Sequence, residues 1–354
     1  MSETLVTGAT VLAGPELART ESVAVLIDGA RIAAVGRERD MRGDAAETVD
    51  ASGLVLAPGF IDAHVHIGFY DPARILRGGV TTVRDLGWPP AEIWPLARRS
   101  AADDFEGPTI VAAGQMLTVE GGYPTRAAWA PLHTGRVVDS PQQARAAVDE
   151  QAEAGAMVVK VALNAAVGPT LDPLLLAAIV DAAHAHGLKV TGHTYGLGEL
   201  TKALDAGMDE LAHMLMSPER LPDEVIARMV AQSMTVVPTL SIFHLKGLRV
   251  AIDNLERFLA FGGRAIYGTD LGNQGPGPGI DRREVRALTR AGMSPLDIVR
   301  SATVEAAAWL GLESIGVIEP GAFADLLALP AAALEDARAL TDVRMVWRRG
   351  RRVR

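Results

Sequence analysis

Eight short apolar runs, most of them closed by a polar residue, alternate with alanine-rich stretches through the middle of this chain. No other feature limits its fold as tightly. The runs lie at residues 59–66, 81–86, 109–113, 157–162, 189–193, 209–213, 235–239 and 265–270. Each has the length of a strand, and the intervening stretches carry helix signals. Residues 172–186 follow a proline-bounded start, and residues 199–206 stop at Gly207. Strands that alternate with helices build βαβ units and a parallel sheet. Strands covered on both faces read as near-continuous apolar runs. Eight such units spread over about 250 residues have the size of an α/β (β/α)8 TIM barrel. The segment between His66 and Thr81 is short for a crossover, so a small helix over 72–76 is predicted there.

The two ends of the chain share a different texture. Residues 4–12, 23–27, 31–35 and 49–56 are rich in Val, Ile and Thr, and Asp28-Gly29 reads as a two-residue hairpin turn. Residues 324–329 and 343–347 repeat the style after the Pro320-Gly321 turn. The expectation is a small β-sandwich formed from both termini. It would combine residues 1–57 with 311–354 and leave 58–310 as the barrel.

Polar residues gather where barrel active sites sit, at the carboxyl ends of the strands. His64 and His66 close the first run. Being two apart on a strand, they point to one side and can share a metal. His193 closes the fifth run, His213 the sixth and Asp270 the eighth. Any one of these has an ordinary structural use, such as a hydrogen-bonded core histidine or a helix-capping aspartate. Their joint placement points to a metal centre. The chain has no cysteine, so its ligands must be nitrogen and oxygen. Lys160 stands inside the fourth run and is one of four lysines among 34 basic residues. A buried lysine is costly unless paired or chemically altered. One reading is an ion pair with Asp85 or Asp270. The other is a desolvated amine of lowered pKa that reacts with carbon dioxide to a carbamate. His184 and His186 fall before the fifth strand, away from that end. His133 and His244 lie in loops at the mouth, with Tyr123 and Trp129 in the loop after the third strand, and could touch a substrate. The glycine-rich stretch 272–279 lacks the Gly-Lys-Ser/Thr ending of a phosphate loop and reads as a flap or a connector.

The segments Pro58-Gly59-Phe60-Ile61-Asp62-Ala63-His64-Val65-His66, Gly79-Val80-Thr81-Thr82-Val83-Arg84-Asp85 and Gly268-Thr269-Asp270, with Lys160, His193 and His213, resemble the amidohydrolase superfamily over nearly the whole chain. Within it the likeness is to the imidazolonepropionase-related and Xaa-amino-acid dipeptidase (prolidase-like) branch. The resemblance implies two divalent cations, usually zinc, bridged by a carboxylated Lys160. His64, His66 and Asp270 would hold one ion, and His193 and His213 the other. It also implies that Tyr195, two residues past His193, contacts substrate.

The activity expected is hydrolysis of an amide bond in a dipeptide, N-acyl amino acid or cyclic amide. A water shared by the cations would attack, with Asp270 as base and then acid and Tyr195 or a metal stabilising the oxyanion. A one-metal deaminase of amino-heterocycles and a lactone or cyclic imide hydrolase are the alternatives. A non-catalytic assembly protein should lack ligands that are present here. The net charge of −9 opposes binding to nucleic acid or an anionic membrane. The basic segment 348–352 reads as a solvated terminus. Without an evident signal peptide or a membrane-length apolar run, a cytoplasmic enzyme is expected, with a symmetric homo-oligomer as the default.

Overall fold

The computed structural model describes residues 3–41 and 47–354, and they adopt an α/β fold. A three-stranded parallel sheet places Val80–Asp85 between Phe60–Val65 and Thr109–Ala112. A seven-stranded parallel sheet runs Gly135–Val137, Met116–Thr118, Val158–Asn164, Lys189–Tyr195, Glu210–Leu211, Thr235–Val236, Arg264–Ala265. The edges of the two sheets meet through backbone hydrogen bonds. Ala63 N donates to Tyr267 O at 3.0 Å and Asp270 N to His64 O at 2.8 Å. On the other side, Met157 N donates to Ala112 O at 3.0 Å.

All eight expected runs contribute strand, but the last three shrink to two residues each. His213, Thr239 and Asp270 therefore sit on irregular backbone beyond their strands. This frees those segments from ladder geometry, and Thr239 and Asp270 both adopt left-handed φ values, 45° and 58°. The short strands Met116–Thr118 and Gly135–Val137 carry too few apolar residues to announce themselves. The helices arise as expected at Pro173–Ala185 and Leu197–Asp205, and the tight first crossover holds Pro72–Arg77. Asp172 caps the first of these, accepting from Leu175 N at 2.8 Å.

The termini pair as expected: Leu326–Pro330 lies antiparallel to Leu54–Pro58. Two terminal runs break, however, and for one reason. Residues 4–12 divide into Thr4–Thr7 and Thr10–Ala13, and 49–56 into Glu47–Asp50 and Leu54–Pro58. In each case the first piece joins a four-stranded sheet and the second a six-stranded one. Gly8 makes the first corner at φ 79°, and a Cβ there would lie 2.4 Å from Ser52 Oγ. Val6 and Val25 from one sheet share an apolar cluster with Val11, Leu56, Leu326 and Trp347 from the other. The hairpin turn is Gly29-Ala30, since Asp28 pairs with Arg31. Arg348 departs from the reading of 348–352 as solvated. It is fully buried, donating to the carbonyls of Ala102 and Ser100, because the strand Met345–Arg348 packs beneath that loop. No helix among the described residues is long and apolar enough to cross a membrane.

Candidate metal centre

The segment Phe60–Val65 is buried throughout, and His64 and His66 emerge at its end. Asp62 locks this segment to the eighth-run segment. It accepts from Thr269 N at 3.0 Å, Thr269 Oγ1 at 2.6 Å and His64 N at 3.1 Å. Asp270 is thereby carried to the two histidines, with Oδ1 3.3 Å from both His64 Nε2 and His66 Nε2. One ligand atom from each of these three residues lies within 4.8 Å of the others, and all three residues are buried. His213 brings Nδ1 to 3.9 Å from Asp270 Oδ2, and its Nε2 lies 3.0 Å from His193 Nδ1.

Each imidazole has one nitrogen anchored and the other turned inward. His64 Nδ1 meets the Ala212 carbonyl at 2.8 Å, and His66 Nδ1 meets the Gly87 carbonyl at 3.1 Å. His213 Nδ1 meets Thr239 Oγ1 at 2.8 Å. These three offer Nε2. His193 is reversed: Asn164 Nδ2 lies 3.0 Å from its Nε2, and Nδ1 is the nitrogen turned toward His213. Anchoring of this kind fixes the tautomer and aim of a metal-ligating histidine. Asp85 supports His66 indirectly by accepting from Ile67 N at 2.8 Å and Gly87 N at 3.0 Å.

The electrostatics favour neutral imidazoles. Burial, with Lys160 and the neighbouring histidines adding to it, holds His64 and His213 well below the ordinary range. The same causes bring His193 down to about 3. For His66, burial opposes the cation, but the hydrogen bond and charge of Asp270 outweigh it and raise the pKa. Lys160 is 1% exposed and its ammonium is brought down to about 7, mainly by burial, with Asp270 opposing and Arg84 assisting the shift. Its Nζ has no hydrogen-bond partner among the described residues, and Asp270 Oδ1 meets the Nε2 atoms of His64 and His66, each at 3.3 Å. The expected ion pair of Lys160 is thus not made. Arg84 is occupied by Glu210, at 2.5 and 3.2 Å. Three neutral imidazoles, a buried amine without a hydrogen-bond partner and a carboxylate oxygen shared by His64 and His66 suit divalent cations.

The remaining sequence candidates spread out. Tyr123 stacks on His193 with ring centroids 4.7 Å apart. Tyr195 is half-buried at the end of Lys189–Tyr195. His133 and His244 are exposed; His133 lends its carbonyl to Gln115, and His244 precedes the helix Leu245–Ala260. His184 and His186 bond Asp209 and Asp149 near the start of the fifth strand. Asn164 and Thr239 were not singled out in the sequence. An asparagine at the end of an apolar run was the available signal for the first, and a short polar residue beyond a two-residue strand carries none.

A fold of this kind with clustered histidines and a carboxylate defines a metal-dependent hydrolase. The chain belongs to the amidohydrolase family, whose pattern matches residues 55–353, and it is an enzyme that hydrolyses carbon–nitrogen bonds in small molecules. It is 28% identical over 330 residues to the enamidase of Eubacterium barkeri, covering 86% of this chain and 80% of that one. It is 26% identical over 363 residues to the 5-methylthioadenosine/S-adenosylhomocysteine deaminase of Symbiobacterium thermophilum, covering 88% and 81%. A solved prolidase complexed with N-methylphosphonate-L-proline superposes with a TM-score of 0.81 at 25% identity, over 99% of both chains. The expected superfamily and its prolidase-like side are borne out.

Proposed function

We propose that the chain hydrolyses an amide bond of a dipeptide, N-acyl amino acid or cyclic amide at a two-metal centre. In this reading the parallel strands close into a (β/α)8 barrel over residues 58–310. Residues 1–57 and 311–354 form a composite β-sandwich beside it. His64, His66 and Asp270 would hold one divalent cation, zinc in this reading, His193 and His213 would hold a second, and Lys160, carboxylated, would serve both. When bound, the cations would polarise the amide carbonyl and lower the pKa of a water. Asp270, buried beside His64 and His66, would take a proton from the attacking water as the carbon–oxygen bond forms. Asp270 then delivers it to the nitrogen as the carbon–nitrogen bond breaks. Asn273 Nδ2, donating to Asp270 Oδ2 at 2.7 Å, keeps the other oxygen turned to the site. Tyr195 faces the bound substrate.

The observation that carries this reading is the set of inward histidine nitrogens gathered at Asp270, together with the buried Lys160 Nζ that makes no hydrogen bond among the described residues. The tight His64–His66–Asp270 trio also favours a second reading, a one-metal deaminase. Lys160 has no task in that reading. An Asp270→Asn variant tests the assignment. Asparagine tolerates the left-handed backbone of this position, so the fold should hold. The expected loss of kcat is about 10²–10⁴-fold with most of the metal retained. Full kcat in the variant would remove Asp270 from the proton path.

A further inference from the structure

An aromatic strip leads from the metal centre to the surface, and neither the ligand set nor the hydrolysis uses it. Tyr123 lies flat on His193, at 4.7 Å and 28°. Trp129 stands 5.0 Å from His66 and 6.0 Å from Tyr123, bridging the two halves of the histidine cluster. Phe69 continues the strip, 6.1 Å from Trp129, and rests edge-on against buried Trp88 at 4.9 Å. The strip is held from both sides. At Gly68 a Cβ would fall 2.1 Å from Trp88, and at Gly272, where φ is 128°, it would fall 2.8 Å from His66 and 3.0 Å from Phe69. The backbone thus clamps Phe69 between Trp88 and the glycine-rich stretch after Asp270. Even so, Phe69 is 42% exposed, while Trp129 and Tyr123 are half-buried. Costly aromatic surface is left open beside the reacting groups rather than closed into the core.

We infer that this strip selects the substrate: one flank of the scissile amide is a flat, uncharged aromatic ring, seated against Trp129 and Phe69. This rests on the amide-hydrolase reading of the same centre and narrows it to members of that class with an aryl group on one side of the amide, such as an N-aroyl amino acid. Aromatic rings pair offset or edge-on at such centroid distances, and a saturated ring of equal size lacks the flat face and quadrupole that this requires. Trp129 is a specificity residue here, with Tyr123 fixed on His193 beside it.

The test separates binding from turnover. Acetophenone and cyclohexyl methyl ketone have nearly the same size, are uncharged and cannot be hydrolysed. Their dissociation constants for the full-length, zinc-loaded protein are measured by ligand-observed NMR titration. The expected result is about fivefold tighter binding of acetophenone, erased in Trp129→Leu. Phe69→Leu, nearer solvent and less able to disturb folding, should reduce the difference in part. Equal binding of the two ketones, or a preference that survives both variants, would overturn the inference. Release of glycine from N-benzoylglycine, an N-acyl amino acid, by the same protein is followed alongside. Selective binding without hydrolysis of N-benzoylglycine counts against the amide-hydrolase reading and leaves the strip standing. Hydrolysis without aromatic preference does the reverse.

Discussion

Asn164 decides how His193 presents itself. A histidine can offer either nitrogen, and the hydrogen bond on one selects the other. In the structure Asn164 Nδ2 faces His193 Nε2 at 3.0 Å while its Oδ1 accepts from Ala166 N at 3.2 Å, which puts the ring proton on Nδ1, toward His213 Nε2 3.0 Å away. Turning the amide over, at the loss of the Ala166 bond, would let Asn164 accept the Nε2 proton and bare Nδ1 for a cation. Replacing Asn164 by alanine frees the ring, and metal affinity should fall about 10–100-fold in a chelator competition. Asn164→Asp keeps an acceptor and should retain most of the affinity. Unchanged affinity in the alanine variant would show that His193 needs no such anchor. At this scale the sequence was informative about the proposed ligands, because each is a polar residue at or near the end of an apolar run. It was silent about aim, because tautomer selection depends on Ala212, Gly87 and Thr239, which are brought in from other segments.

At the scale of elements, the helix Arg282–Arg290 carries a buried carboxyl into the wall behind the site. Glu284 accepts from Ser241 N at 2.7 Å, and Ser241 Oγ donates to the carbonyl of Thr269, next to Asp270. Burial, only partly offset by its backbone hydrogen bonds, pushes Glu284 up to about 8. A carboxyl raised on folding holds its proton in the native state where the unfolded chain has lost it. The contribution of Glu284 to stability is therefore fully present below the unfolded value of 4.5 and is lost as pH rises toward about 8. Urea unfolding between pH 5 and 9, a range chosen to bracket about that window, should show this decline in the wild type and a flatter profile in Glu284→Gln. Parallel profiles would mean that Glu284 does not titrate across the window. The same scale shows where pattern reading stops. The run 4–12 looked continuous because apolar alternation survives a corner, and only the left-handed Gly8 marks the change of sheet. The run 209–213 looked like a full strand, yet pairing ends at Leu211 and His213 is set by tertiary contacts.

For the molecule as a whole, the polar floor beneath Lys160 ties distant segments together. Glu210 binds the Arg84 guanidinium and also accepts from Thr191 Oγ1 at 2.6 Å and Trp309 Nε1 at 2.5 Å. Arg84 Nε donates in turn to the Ala63 carbonyl at 2.7 Å, one residue before His64. Both members of the ion pair are buried, so Glu210→Gln strands a charge. It should cost about 3–5 kcal/mol in urea unfolding. A loss below about 1 kcal/mol would mean that Arg84 finds another partner. Alternating apolar runs made the parallel α/β architecture legible at this scale. Which polar residues become structural floor and which face the metals was not legible, since Arg84 and Lys160 both appear simply as cations in apolar strands.

The central claim is that Lys160 and the four histidines form one two-metal centre. Metal content per chain, measured by plasma mass spectrometry on wild type and Lys160→Ala, tests it most directly. About two divalent ions in the wild type, falling to about one or fewer in the variant, is the predicted result. One ion per chain, unchanged by loss of Lys160, would contradict the bridged centre and favour the one-metal deaminase.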